Sequence, residues 1–290
     1  VKKLNGVGDP ITIASTTDNN MALPLAINYT SLLCNNPYTN FEFFVVNDHL
    51  KQSNKKLMMS LQKIFENCYS VKFLDPHEEL YQQANTDAPN SVIKRNTYYR
   101  IDIPEEVKRP RILYLDADMI CDGDITGLWQ TDLGGKVVGA IENAGYLDRL
   151  REMGVSEKPG RYFNAGLLLI DTKKWKEQGI SQRARNLAND HPEILRFQDQ
   201  DALNAIFNGN WQSLPSKYNV QSNLVKGKYR KSGTESGRRS QQEALNQPVI
   251  IHYTNFDKPW LIRNGHLHPL RSLYDEYQNK LLNQLAHYVN

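Results

Sequence analysis

Cysteine is scarce in this chain, and its spacing excludes more than its number does. The 290 residues hold only Cys34, Cys68 and Cys121, far apart and with no C-x-x-C pair. An odd count cannot close into a complete disulfide framework. Cys34 and Cys68 sit among apolar neighbours and are expected in the core, and a reducing compartment is favoured. No run of about 18 apolar residues occurs, so no transmembrane helix is expected. The opening stretch, residues 1–6, lacks the apolar heart of a signal peptide. It also lacks Met, which leaves upstream residues open. The expectation is a cytoplasmic protein, with peripheral contact at the inner face of a membrane left open.

Charge of one sign is scarce too. A net charge of +3 gives no argument for nucleic acid. The basic residues that do cluster, in 226–231 and at Arg238-Arg239, read either as a solvated loop or as a contact for an anionic ligand or membrane surface. With little aromatic interleaving beyond Tyr229, no nucleic-acid partner is expected. The glycine-rich dinucleotide fingerprint is missing as well. Asp18-Asn19-Asn20 stands where it would follow the first strand, which disfavours a nicotinamide or flavin fold.

What is present is an alternation. Apolar runs at 10–14, 41–46, 71–74, 112–115, 136–141, 165–170 and 249–251 read as strands. Helical spacing is expected over 22–33 and over 53–67, where Leu57, Leu61, Ile64 and Phe65 recur. Strands separated by helices predict an α/β protein with β-α-β units and a mostly parallel, doubly wound sheet flanked by helices. Residues 171–207 read as mostly helical, with Ala202, Ala205 and Ile206 on one face of a helix over 201–207. Residues 227–246, rich in Gly, Ser, Arg and Gln, read as a mobile loop. The tail over 268–288 carries the stripe Leu270, Leu273, Tyr277, Leu281, Leu282 and Leu285. Its polar face is not dominated by Lys and Arg, so packing is favoured over membrane attachment.

The most informative segment is Arg111-Ile-Leu-Tyr-Leu-Asp116-Ala-Asp118, a buried-looking strand running into two carboxylates. Residues i and i+2 at a strand end point the same way, so Asp116 and Asp118 can converge beyond the carboxyl edge of the sheet, where open α/β sheets bind ligands. Two such carboxylates repel unless something positive sits between them. A hard divalent cation, Mg²⁺ or Mn²⁺, would complete its shell with substrate phosphates; the alternative is that the pair caps a turn. Other polar clusters end apolar runs in the same way. They are Thr16-Thr17-Asp18-Asn19-Asn20, Arg161-Tyr-Phe-Asn164-Ala-Gly166, Gln198-Asp199-Gln200-Asp201 and His252-Tyr-Thr-Asn-Phe-Asp-Lys258-Pro-Trp260. Small residues at Ala165-Gly166 would let a ligand approach the backbone. Asp199 could be a helix N-cap and Asp201 a first-turn charge. His252, beside two aspartates needing a third ligand, is a metal-ligand candidate rather than a core histidine.

In this order, these motifs resemble glycosyltransferase family 8, over about residues 10–262. The resemblance implies a GT-A fold over 1–262, with a C-terminal helical extension over 263–290. It implies retaining, Mn²⁺-dependent (or Mg²⁺-dependent) transfer of a hexose from UDP-glucose or UDP-galactose to a saccharide or glycoconjugate acceptor. Carried over residue by residue, Asp116, Asp118 and His252 would be metal ligands, with Ala117 between the aspartates in the donor site. Thr16, Asp18 and Asn20 would hold uridine, and Arg100 would bind the donor. Asn164, beside Ala165, and Asp199 would bind the sugar. Gln200 would stand on the sugar's reactive face, with Asp199 beside it as a catalytic candidate, and Lys258 would meet the diphosphate. Glu142-Asn143 falls where family members carry an acidic residue near the donor sugar. The chain departs from the pattern at Asn255, where the family often has glycine. Two rivals remain at this point: a haloacid-dehalogenase-like phosphatase, which also carries Asp-x-Asp after a strand, and a non-catalytic sugar-nucleotide-binding protein.

Overall fold

The computed structural model describes residues 8–84, 95–145, 148–155, 161–256, 258–262 and 265–289; residues 1–6 and Asp257 of the sequence reading lie outside them. The chain begins β1 (Ile11–Thr17), α1 (Ala22–Asn35), β2 (Phe41–Asn47), α2 (Gln52–Ile64) and β3 (Cys68–Leu74). It continues through β4 (Arg111–Leu115), β5 (Met119–Cys121), β6 (Val138–Glu142) and β7 (Phe163–Asp171). Then come α3 (Ile180–Asp190), α4 (Gln198–Phe207), β8 (Gln212–Ser213), β9 (Val220–Gln221), α5 (Glu235–Asn246), β10 (Ile250–His252) and α6 (Arg271–Val289).

A seven-stranded sheet in the order β3-β2-β1-β4-β7-β6-β8 forms the centre. Its strands alternate between two apolar layers. On β4, Leu113 and Leu115 enter the layer that holds α1, α2 and the Tyr274–Tyr277–Leu281 face of α6. Ile112 and Tyr114 enter the layer with Trp175, Ala184 and Leu203. Burial on both faces is why these strands read as continuous apolar runs.

The sheet is mixed rather than uniformly parallel. β3, β2, β1 and β4 pair in parallel, whereas β7 runs antiparallel to both β4 and β6. Strand direction leaves no mark on side-chain periodicity, so the sequence pattern could not reveal it. The consequence is functional: β7 enters the sheet at the edge where β4 leaves it, with Leu115 opposite Leu167. The Asp116 N–H then donates to the Gly166 carbonyl at 2.8 Å.

Other boundaries also differ from expectation. α2 stops at Ile64 because Phe65 turns extended (φ −109°, ψ 124°), and β3 starts earlier than the 71–74 run. That strand lies at the sheet edge and is only partly covered, so its early residues are not uniformly apolar. The segment expected as a mobile loop over 227–246 contains helix α5. Thr234 caps it by accepting the Gly237 N–H at 3.0 Å, and Gln241 and Ala244 are buried. Its Arg, Gln, Glu, Ala and Leu residues are good helix formers, and the Gly and Ser near its start obscured that. Cys68 and Cys121 are buried, Cys34 is half-buried against the same core, and none of the three is in a disulfide. Among the described residues no helix is long and apolar enough to cross a membrane.

Candidate active site

The site forms where the carboxyl ends of β1 and β4 meet the entry of β7, closed on one side by a second, three-stranded sheet, β5-β10-β9. This small sheet decides the chemistry. β5 follows Asp118 directly and pairs antiparallel with β10, placing His252 opposite Met119, and the Tyr253 N–H donates to the Asp118 carbonyl at 2.9 Å. A histidine more than a hundred residues away in sequence is thereby fixed beside the Asp-x-Asp turn.

Asp116, Asp118 and His252 each offer a ligand atom, all within 4.8 Å of one another. His252 Nε2 lies 3.2 Å from Asp118 Oδ1 and 3.6 Å from Asp116 Oδ2. Neither carboxylate serves as a turn cap; both face the imidazole. Asp116 Oδ1 is held by the Tyr114 hydroxyl at 3.1 Å and by Arg100 Nη1 at 3.1 Å, while Asp118 Oδ2 takes an ion pair from Lys258 Nζ. Burial alone would raise the Asp118 carboxyl, but the Lys258 ammonium, with the His252 ring beside it, holds it well below the usual carboxylate range. Two carboxylates and one imidazole, converging with little protein volume between them, fit a hard or borderline divalent cation. Gly166 makes the convergence sterically feasible. A Cβ there would lie 2.3 Å from His252 Cε1 and 2.8 Å from Asp116 Oδ2. The space expected to admit a ligand at Gly166 is therefore largely taken by the imidazole and the carboxylate. Another carboxylate–histidine group, Asp48, His49 and Glu78, lies on the surface with His49 exposed.

Around this centre is a cavity of about 360 Å³. Thr16, Asp18 and Asn20 line it from the end of β1, and Arg100, Asp116, Ala117 and Asp118 from its centre. Asn164 and Ala165 line it from β7, Asp199 and Gln200 from α4, and His252, Asn255 and Lys258 from the β10 end. The structure thus brings every residue that the resemblance assigned to the metal, the uridine or the sugar to one cavity. Asp18 Oδ1 also accepts the Asn20 and Met21 N–H groups at 2.9 and 3.0 Å, shaping the turn into α1.

Several of these side chains do something the sequence did not disclose. Asp199 is not an N-cap. Its Oδ2 lies 2.8 Å from Arg100 Nε, so the buried Arg100 bridges Asp199 and Asp116 while stacking over the Tyr114 ring. Burial pushes the Asp199 carboxyl up to about 6, against the pull of Arg100. Asp201 is the first-turn charge expected of it, but not a solvated one. It is fully buried and accepts from the Tyr162 hydroxyl at 2.6 Å, from Arg149, and from the Arg196 and Phe197 N–H groups. Gln200 is locked at both ends. Its Oε1 accepts the Ala165 N–H at 2.9 Å and its Nε2 donates to the Tyr162 oxygen at 3.0 Å. Asn255 adopts φ 64°, the left-handed conformation that glycine favours and asparagine tolerates. The loop shape is kept without glycine, and Asn255 Nδ2 reaches Asn223 Oδ1 at 3.2 Å.

Of the Glu142-Asn143 pair, it is Asn143 that lines the cavity. Gln221 and Asn223 line it too and were missed, as was Asn219 behind His252. The polar run Asn219, Gln221, Ser222 and Asn223 beside a short apolar stretch was the available signal.

This architecture, a mostly parallel α/β sheet with an Asp-x-Asp turn at its edge, is the GT-A fold of glycosyltransferases. The crystal structure of the galactosyltransferase LgtC in complex with donor and acceptor sugar analogs superposes with a TM-score of 0.81 at 23% identity, covering 93% of this chain and 96% of that one. The family model for glycosyl transferase family 8 matches residues 12–263, and the chain belongs to that family. General stress protein A of Bacillus subtilis (strain 168) is 33% identical over 273 residues, 92% of each chain. A lipopolysaccharide 1,2-glucosyltransferase of Escherichia coli (strain K12) is 28% identical over 270 residues, 86% of this chain and 72% of that protein. The protein is a glycosyltransferase, which sets aside both the phosphatase and the non-catalytic binder.

Proposed function

We propose that this enzyme transfers a hexose, glucose or galactose, from a UDP-sugar to a hydroxyl of a saccharide or glycoconjugate acceptor, with retention of configuration and with Mn²⁺ (or Mg²⁺) held by Asp116, Asp118 and His252. The observation that carries the reading is the convergence of those three ligand atoms beside Lys258 on one cavity wall. Similarity to proteins named as a glucosyltransferase and a galactosyltransferase supports a hexose. Bound there, the cation would supply Lewis-acid neutralisation of the charge that builds on the departing UDP.

The chain's own groups supply the rest. Lys258 adds a positive charge where the diphosphate leaves. Thr16, Asp18 and Asn20 offer hydroxyl, carboxylate and amide groups to uridine. Arg100, gripped by Asp116 and Asp199, keeps the metal side and the sugar side in fixed relation. Asn164 and Asp199 stand on the sugar side, and the neutral Gln200 amide, already accepting the Ala165 N–H, is a poor nucleophile. We therefore favour same-face substitution. The acceptor hydroxyl approaches beside the departing phosphate, bonds to the anomeric carbon as the sugar–phosphate bond breaks, and gives its proton to the phosphate. The free thiols favour a cytoplasmic setting.

The test is a panel of UDP-sugars assayed for hydrolysis with Mn²⁺ and with EDTA, alongside thermal melts. The true donor at about 100 times its Kd should stabilise the fold by about 2.7 kcal/mol. A panel in which no UDP-sugar is hydrolysed or raises the melting temperature would remove the donor assignment.

A further inference from the structure

The direction of an asparagine amide is settled when one end meets a group that can only donate or only accept. The Gly166 N–H only donates, and it donates to Asn164 Oδ1 at 3.0 Å. The same oxygen receives Asn219 Nδ2 at 2.9 Å. That turns Asn219 Oδ1 toward the imidazole, 2.9 Å from His252 Nδ1. Asn219 is 1% exposed and His252 3%, so water does not compete for this contact. A carbonyl oxygen only accepts, which places the ring hydrogen on Nδ1. With a cation held by the carboxylates of Asp116 and Asp118, Nε2, 3.6 and 3.2 Å from their oxygens, is then the nitrogen left to ligate it.

We propose that Asn219 is a positioning residue of the metal centre: it relays the polarity of the Gly166 N–H, through Asn164, to hold His252 as an Nε2 ligand. The inference rests on the metal reading above. It gives Asn164 a second task, because its oxygen is committed to Gly166 and Asn219 and couples the sugar wall of the cavity to the metal ligand. A partner on the far nitrogen of a ligating histidine fixes both tautomer and ring plane.

The test uses ¹⁵N NMR of the His252 ring in protein saturated with diamagnetic Mg²⁺, together with Mn²⁺ titration of the metal-free protein followed by EPR. Wild type is expected to carry hydrogen on Nδ1. In Asn219→Ala the ring loses that preference and Mn²⁺ affinity falls about 10–100-fold, the usual cost of losing such a partner. Asn219→Asp keeps an acceptor oxygen for Nδ1 and should restore the ring hydrogen there, while the lost donation to Asn164 Oδ1 keeps Mn²⁺ affinity below wild type. A wild-type ring protonated on Nε2 overturns the assignment without any variant. So does an alanine variant with an unchanged ring and Mn²⁺ affinity within about twofold of wild type. A wild-type ring with hydrogen on Nδ1 but no Mn²⁺ binding instead overturns the metal reading, and Asn219's role at a metal falls with it.

Discussion

Replacing Gly166 by alanine adds a single methyl group, yet it should disable the proposed metal centre while leaving the fold standing. The new Cβ would sit 2.3 Å from His252 Cε1, 2.8 Å from Asp116 Oδ2 and 2.9 Å from Asn164 Oδ1, whereas ordinary contact begins near 3.4 Å. The backbone cannot easily retreat, because Gly166 accepts from the Asp116 N–H and the next residue pairs with Leu115 on β4. The imidazole must therefore withdraw by about 1 Å, while metal–ligand distances hold to about 0.2 Å. Displacement on this scale should lower Mn²⁺ affinity on the order of 100-fold, about 2.7 kcal/mol, with a comparable loss of turnover. The overpacking itself costs about 1–3 kcal/mol of stability, a fall of several degrees in melting temperature. Calorimetric Mn²⁺ titration, donor-hydrolysis rates and a thermal melt of the same preparation separate these effects. A folded Gly166→Ala protein with Mn²⁺ affinity within about twofold of wild type would refute the reasoning, since ring and methyl would then be sharing space.

Asp116→Asn should abolish Mn²⁺-stimulated turnover in the same hydrolysis assay, and wild-type rates in that variant would remove the metal site. Gln200→Ala should slow transfer but leave the anomeric configuration of the product unchanged by NMR; a glycosyl adduct trapped on any side chain by mass spectrometry would refute same-face substitution. Asp199 makes a pH prediction. Its folded carboxyl sits at about 6 against an ordinary 3.8, so between about pH 4 and pH 6 the native state keeps a proton that the unfolded chain has lost. Stability should therefore fall as pH rises through that window, by on the order of 3 kcal/mol. Thermal melts in EDTA should show the decline in wild type and a flatter profile in Asp199→Asn; equal slopes would contradict it.

The sequence by itself determined the parts that follow from short-range chemistry. An apolar run buried on two faces could end at Asp116-Ala-Asp118 only at a sheet edge, and i, i+2 geometry sent both carboxylates the same way. The candidate residues were legible for the same reason, as polar groups closing apolar runs. Tertiary structure alone decided what those groups face. The antiparallel entry of β7 put Gly166 beneath His252, and the pairing of β5 with β10 carried that histidine to Asp118. Arg100 between Asp116 and Asp199, Asp201 in its buried cradle, and Asn219 behind the imidazole each depend on contacts between residues far apart in the chain. A side chain's own spacing fixes its face but not its partner; the partner is set by how strands and helices pack.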